Sequence, residues 1–166
     1  WREEALKRGY LSLASVPLKL KDRIYGTLNL YTSENDFFSI DELCRSETAR
    51  TKGIDNNPPE GVRNNLIYLV DNLLDEVRER YGKPIKVNSG YRSPLLNKAI
   101  NGSPSSDHVH GLAADLDTGT REGNRKLFNI IIDSGLTFDQ LINEKDFSWV
   151  HVSLKREINR KMILKL

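Results

Sequence analysis

The sequence predicts an α+β fold in which helices pack on one side of a small antiparallel sheet. Three observations lead there. Val62, Leu66, Leu69, Val70, Leu73 and Val77 recur at helical spacing with Arg, Asp and Glu between them. Two later stretches, residues 113–117 and 149–154, alternate with the period of two that marks half-buried strands. Strands and helices do not alternate regularly enough for a doubly wound parallel sheet.

Bulk properties narrow the class. With 166 residues, 29% of them charged and no low-complexity tract, the chain is sized for one globular domain of ordinary dimensions. No apolar run approaches the roughly 20 residues of a membrane span, and the opening WREEALKRGY is charged and amphipathic, unlike a signal peptide. The single Cys44 excludes an internal disulfide framework and a thiolate metal cluster. A net charge of +2 is too near balance to argue for a nucleic-acid partner. The late cations Lys155, Arg156, Arg160, Lys161 and Lys165 read as solvating the outer face of a terminal strand, or as facing an anionic polymer.

In chain order, residues 1–8 have helical character ending at Gly9, and residues 13–20 and 24–31 alternate as two strands across Lys21, Asp22 and Arg23. Ser39 and Glu42 form a capping-box pattern opening a helix that turns Leu43 inward. Pro59 and Glu60 suit the first turn of the long amphipathic helix, which runs to Tyr81 and Gly82. A strand follows over residues 85–87, a turn at Ser89, Gly90 and Tyr91 lets Arg92 project, and residues 94–99 form a short helix. A second amphipathic helix, with Leu127, Phe128, Ile130 and Ile131 facing the core, stops at Gly135. Residues 160–166 read as a closing strand.

The chemistry concentrates between Val87 and Asp117 and in the run SWVHVS, which together hold all three histidines, His108, His110 and His151. A catalytic zinc wants three imidazole or carboxylate ligands and leaves a further position open for water. Asp115 sits on one face of the alternating stretch, and His151 shares a strand face with Trp149 and Ser153. His108 and His110, two residues apart, would share a face of a strand, so either can be the first ligand. A lone strand histidine is more often structural; the combination points to one Zn2+ ion.

These residues resemble the zinc D-alanyl-D-alanine carboxypeptidases and their phage-type endopeptidase relatives, which share a hedgehog-like peptidase fold. The family pattern S-G-Y-R-S, S-x-H-x-x-G-x-A-x-D and W-x-H stands here as Ser89 to Ser93, Ser106 to Asp115, and Trp149, Val150 and His151. The resemblance, over about residues 36–166, implies that His108, Asp115 and His151 are the ligands and that Arg92 and Ser106 hold substrate, a peptide carboxylate suiting the guanidinium fork. It also implies a bacterial cell-wall (peptidoglycan) stem peptide as substrate, with action in the cell wall or periplasm, or release from the cytoplasm in the phage manner.

Several relatives carry an acidic general base three residues before the last histidine, where this chain has Ser148. Glu144 is therefore the candidate base, with Asp146 the alternative. Three other readings stand beside the carboxypeptidase: an endopeptidase of the lysin type, a module in which the metal is purely structural, and an interaction protein built on the first segment. That segment, residues 1–42, resembles the C-terminal part of a GAF domain through Val16-Pro17-Leu18, Gly26-Thr27-Leu28-Asn29-Leu30-Tyr31 and Phe38 to Glu42. The expected division is a partial GAF-like segment over residues 1–35 and a zinc peptidase domain over 36–166.

Overall fold

The computed structural model describes the backbone of residues 10–20 and 23–33 and the whole of residues 37–166. Two compact units divide between Asp36 and Phe37. In the first, β1 (Tyr10–Leu20) and β2 (Arg23–Ser33) pair antiparallel, from Tyr10 opposite Ser33 to Leu20 opposite Arg23. The helix expected over residues 1–8 and the turn residues Lys21 and Asp22 lie outside the described residues.

The second unit opens as the capping pattern predicts. Ser39 Oγ accepts the Glu42 N–H at 3.1 Å and starts α1 (Ile40–Cys44), which buries Leu43 completely. Ser46 caps α2 (Glu47–Lys52) in the same way. The long amphipathic stretch forms α3 (Glu60–Leu69), a π-helical turn (Val70–Leu74) and α4 (Asp75–Tyr81), closed by Gly82 in the left-handed region. A π turn inserts one extra residue into the helical repeat. Leu69 with Val70 and Leu73 with Leu74 are buried as adjacent pairs, the i+3/i+4 and i+7/i+8 positions counted from Leu66, so the core stripe stays continuous through the π turn.

Beyond it come β3 (Lys86–Ser89), α5 (Pro94–Ala99) and β4 (Ala113–Asp117). Next follow α6 (Arg121–Asp133), β5 (Gln140–Glu144), β6 (Trp149–Ser153) and β7 (Met162–Lys165). The sheet order is β3-β4-β6-β5-β7. The architecture is α+β, as expected, with one correction: β7 joins β5 parallel, so the sheet is antiparallel only through its first four strands.

A single buried carboxylate explains the direction of β7. Asp139, immediately before β5, is fully buried and accepts the Arg160 backbone N–H at 3.0 Å and Arg160 Nε at 2.9 Å. Phe138 and Asp139 carbonyls take the N–H groups of Lys161 and Met162. The chain leaving β6 is thus pinned beside the start of β5, and from there it can only run alongside it.

The sheet sorts its side chains by parity. Ala114, Leu116, Leu141, Val150 and Val152 enter the core with Leu66, Leu69, Leu73, Leu127 and Ile131 from the helices. The alternate residues, Asp115, Gln140, Ile142, Glu144, Trp149 and His151, line a cleft. Helices therefore cover one face and leave the other to chemistry.

Arg160, above all, holds the Asp139 carboxyl well below the usual carboxylate range, against the opposing effect of burial. A depressed folded pKa means the unfolded chain binds more protons, so the contribution is complete above the unfolded value of roughly 4 and is lost as pH falls through the folded one. Asp139→Asn should lower stability at neutral pH and flatten the acid limb below about pH 4, as read by urea denaturation at a series of pH values.

Candidate metal centre

His108 reaches the cleft from a 3-10 turn (Asp107–His110). That turn, rather than the strand considered from sequence, separates the two neighbouring histidines: His108 is 2% exposed, whereas His110 is exposed and outside the donor group. Gly111 ends the turn at φ 68°, and a Cβ there would press on the Val62 carbonyl at 2.8 Å, so two separate constraints demand glycine. Asp115 and His151 come from paired positions of β4 and β6.

The three side chains converge. His108 Nε2 lies 3.3 Å from Asp115 Oδ1 and 3.3 Å from His151 Nδ1, and His151 Nδ1 lies 2.8 Å from Asp115 Oδ1. Ligand atoms about 2.0–2.1 Å from a tetrahedral zinc are themselves separated by roughly 3.3 Å. Two of the three separations match that spacing and the third, 2.8 Å between His151 and Asp115, would open by about half an ångström, so two nitrogens and a carboxylate oxygen suit a single Zn2+ ion.

The protonation pattern fits as well. His108 Nδ1 is 2.6 Å from the Gly90 carbonyl, which can only accept, so Nδ1 carries the hydrogen and Nε2 presents its lone pair. Burial pushes the His108 imidazolium below its ordinary pKa, against the pull of Asp115. Burial would raise the Asp115 carboxyl, but His108 and His151 together hold it well below the usual range. A neutral imidazole and an ionised carboxylate are the forms a metal takes as ligands.

Gly90 makes this geometry possible. Its Cα packs against α1 so closely that a Cβ would stand 2.4 Å from the Leu43 carbonyl oxygen, while the next N–H, of Tyr91, donates to that same carbonyl at 2.8 Å. Any side chain at Gly90 would push the strand end away and misplace the carbonyl that orients His108.

Arg92 lies at the same rim. Its Nε donates to Ser89 Oγ and its Nη2 to Asp115 Oδ2, both at 2.8 Å. Asp115 thereby has one oxygen for the donor group and the other for the guanidinium. Ser106 lines the cleft, which encloses about 660 Å³.

The two candidate bases separate. Glu144 lines the cleft, opposite Trp149 in the β5–β6 ladder and two positions from Ile142, which faces His151. Asp146 is exposed and engaged by Arg121 Nη1 at 2.8 Å, away from the cleft lining. Ser148 closes the turn between the strands, its hydroxyl donating to the Lys145 carbonyl at 2.9 Å.

Several residues of the cleft escaped sequence reasoning. Ser89 and Gly90, just outside the cleft lining, were legible as a turn and as motif positions but not as the supports of Arg92 and His108, and Lys155 and Arg160 were legible as surface charge; in the structure both cations line the cleft. Their signal was the spacing Lys155, Asn159, Arg160 facing a buried Asp139, which becomes visible only once β5 and the segment before β7 are side by side.

The family model for Peptidase M15 matches residues 36–153. The zinc D-Ala-D-Ala carboxypeptidase of Streptomyces albus G is 43% identical over 49 residues, covering 29% of this chain and 19% of that protein. The chain thus spans about a fifth of the length of this curated relative. Among the described residues no helix is long and apolar enough to cross a membrane.

Two outcomes are expected of metal titrations. His108→Ala or Asp115→Asn should abolish stoichiometric zinc retention, measured by elemental analysis after dialysis. Arg92→Ala should leave a zinc site weakened roughly 10- to 100-fold, the usual cost of losing a partner that orients a ligand, measured by competition with a chromogenic chelator.

Proposed function

This chain belongs to the M15 peptidase family, and from that premise we propose that it is a zinc-dependent peptidase acting on bacterial cell-wall stem peptides, in the manner of a D-Ala-D-Ala carboxypeptidase. The observation that carries the reading is the His108, Asp115 and His151 donor group, set in an open cleft beside an uncommitted carboxylate, Glu144. The substrate class is supported by the activity for which the Streptomyces relative is named and by the motif residues.

In this reading His108, Asp115 and His151 hold the ion. When bound, zinc supplies a Lewis acid that polarises the scissile carbonyl and acidifies water. Glu144 accepts the proton of the attacking water and returns it to the departing amine as the C–N bond breaks. Asp146, tied to Arg121, is poorly placed for that role. Arg92 keeps Asp115 in register and borders the peptide together with Ser106, whose hydroxyl can receive a backbone group. Residues 1–35 are proposed to be a partial GAF-like segment separate from this chemistry.

The test is mass spectrometry of a stem pentapeptide ending in D-Ala-D-Ala, incubated with the zinc-loaded chain with and without chelator. Chelator-sensitive loss of one terminal alanine supports the proposal, an internal cut makes the chain an endopeptidase, and retained zinc without cleavage favours a structural metal. Glu144→Gln should lower kcat by about 10²- to 10⁴-fold while zinc binding stays at one per chain.

A further inference from the structure

The cleft extends beyond the donor group, and its far half is built from charge. Lys155 and Arg160 line it with side chains 36% and 44% exposed, yet both are anchored from beneath by the same carboxylate. Asp139 is fully buried; it accepts Arg160 Nε and Nη2 and stands 3.2 Å from Lys155 Nζ. Two cations thus share one anion. The other carboxylate in this half, Asp107, is 3.9 Å from Lys155 Nζ, outside hydrogen-bond reach.

Such an arrangement is a receptor held ready. The buried anion fixes the flexible side chains before any ligand arrives, removing much of the entropy cost of ordering them at binding. Arg160 Nη1 and the remaining ammonium protons of Lys155 have no hydrogen-bond partner among the described residues. The surplus over Asp139 is one positive charge, partly offset by Asp107. This suits a single carboxylate better than a dianionic phosphate.

Arg92 is a weaker receptor for the same group. Its side chain is 15% exposed, and Nε and Nη2 are engaged by Ser89 and Asp115.

We propose that Lys155 and Arg160 form a carboxylate-binding subsite that selects peptides carrying an anionic group close to the scissile bond. The inference rests on the peptidase reading above and adds what the site selects. Its place follows from the sheet. Gln140 and Ser153 face one another two positions along from Ile142 and His151, about 7 Å at the usual rise of a strand. An extended peptide covers that in about two residues, and the two further positions to Lys155 are spanned by its own long side chain. The group recognised is therefore a C-terminal carboxylate or that of an acidic residue within about two residues of the cut.

The experiment compares three forms of one acidic peptide ending in D-Ala-D-Ala: free, amidated at the C-terminus, and with its internal acid converted to the amide. The zinc-loaded full chain should prefer the free form by about 10- to 100-fold in kcat/KM over one amidated form, as expected for loss of a charge-assisted hydrogen bond. Which amide loses identifies the carboxylate. In Lys155→Ala that ratio should collapse toward one, and in Lys155→Arg it should persist, with zinc stoichiometry unchanged in both; Lys155→Ala should melt lower, because the buried Asp139 loses one of its two cations, yet remain folded at the assay temperature. Equal rates on all three peptides, or a preference intact in Lys155→Ala, would overturn the subsite. If nothing is cleaved, the same comparison is made on dissociation constants. Lys155-dependent discrimination there would retain the subsite and end the hydrolytic reading; indifference would end both.

Discussion

The Asp115 carboxylate is the point on which the rest of the centre depends. One oxygen faces both imidazoles and the other is held by Arg92. A carboxylate so buried stays ionised only because cationic and hydrogen-bonding partners surround it. That demand reaches outward: Arg92 must be held by Ser89, Ser89 must end β3 opposite Asp115, and Gly90 must let β3 approach α1. The motif Ser89, Gly90, Tyr91 and Arg92 is thus a mechanical linkage as well as a rim of the cleft. It joins the scaffold helices to the donor atoms through three hydrogen bonds, Tyr91 to Leu43, His108 to Gly90 and Arg92 to Asp115, and one missing side chain.

The fold serves this by dividing labour between the two faces of one sheet. Period-two alternation places Val150 and Val152 in the core while His151 between them faces the cleft. The apolar side is closed by the π-interrupted helix and α6, whose buried Leu127, Phe128 and Ile131 pack there. Rigid strands, rather than loops, carry two of the three donors, which holds their separation firmly.

Much of this was legible from the order of residues, for identifiable reasons. The long helix could be found because its apolar spacing is local, and the parity of β4 and β6 because alternation is local too. The π turn was not, since it only widens a stripe already apolar. The parallel entry of β7 depends on Asp139 meeting Arg160, 21 residues away, and no local pattern reports it. His108 and His110 could not be told apart by strand parity because the segment is not a strand. The assignment of Arg92 to a ligand's second oxygen lay equally out of reach, because it is a property of the closed sheet. Asn124 shows the same limit: a polar residue on an amphipathic helix reads as solvent-facing, yet it is 1% exposed and donates to the Phe147 and Ser148 carbonyls.

The turn that Asn124 braces has three consecutive non-glycine residues with positive φ, Lys145, Asp146 and Phe147, at 47°, 52° and 61°. Each such residue costs about 1–2 kcal/mol. The turn is nevertheless not what places Glu144, whose position is set by its pairing with Trp149 across the ladder. The turn is also a packing element: Phe147 is buried in the core edge-on to Phe128, and its N–H is taken by Asn143 Oδ1. A peptide grafted beside the cleft would therefore have to enter between the exposed Lys145 and Asp146 and leave Phe147 seated, and relief of the left-handed backbone there would offset part of the cost of the longer loop.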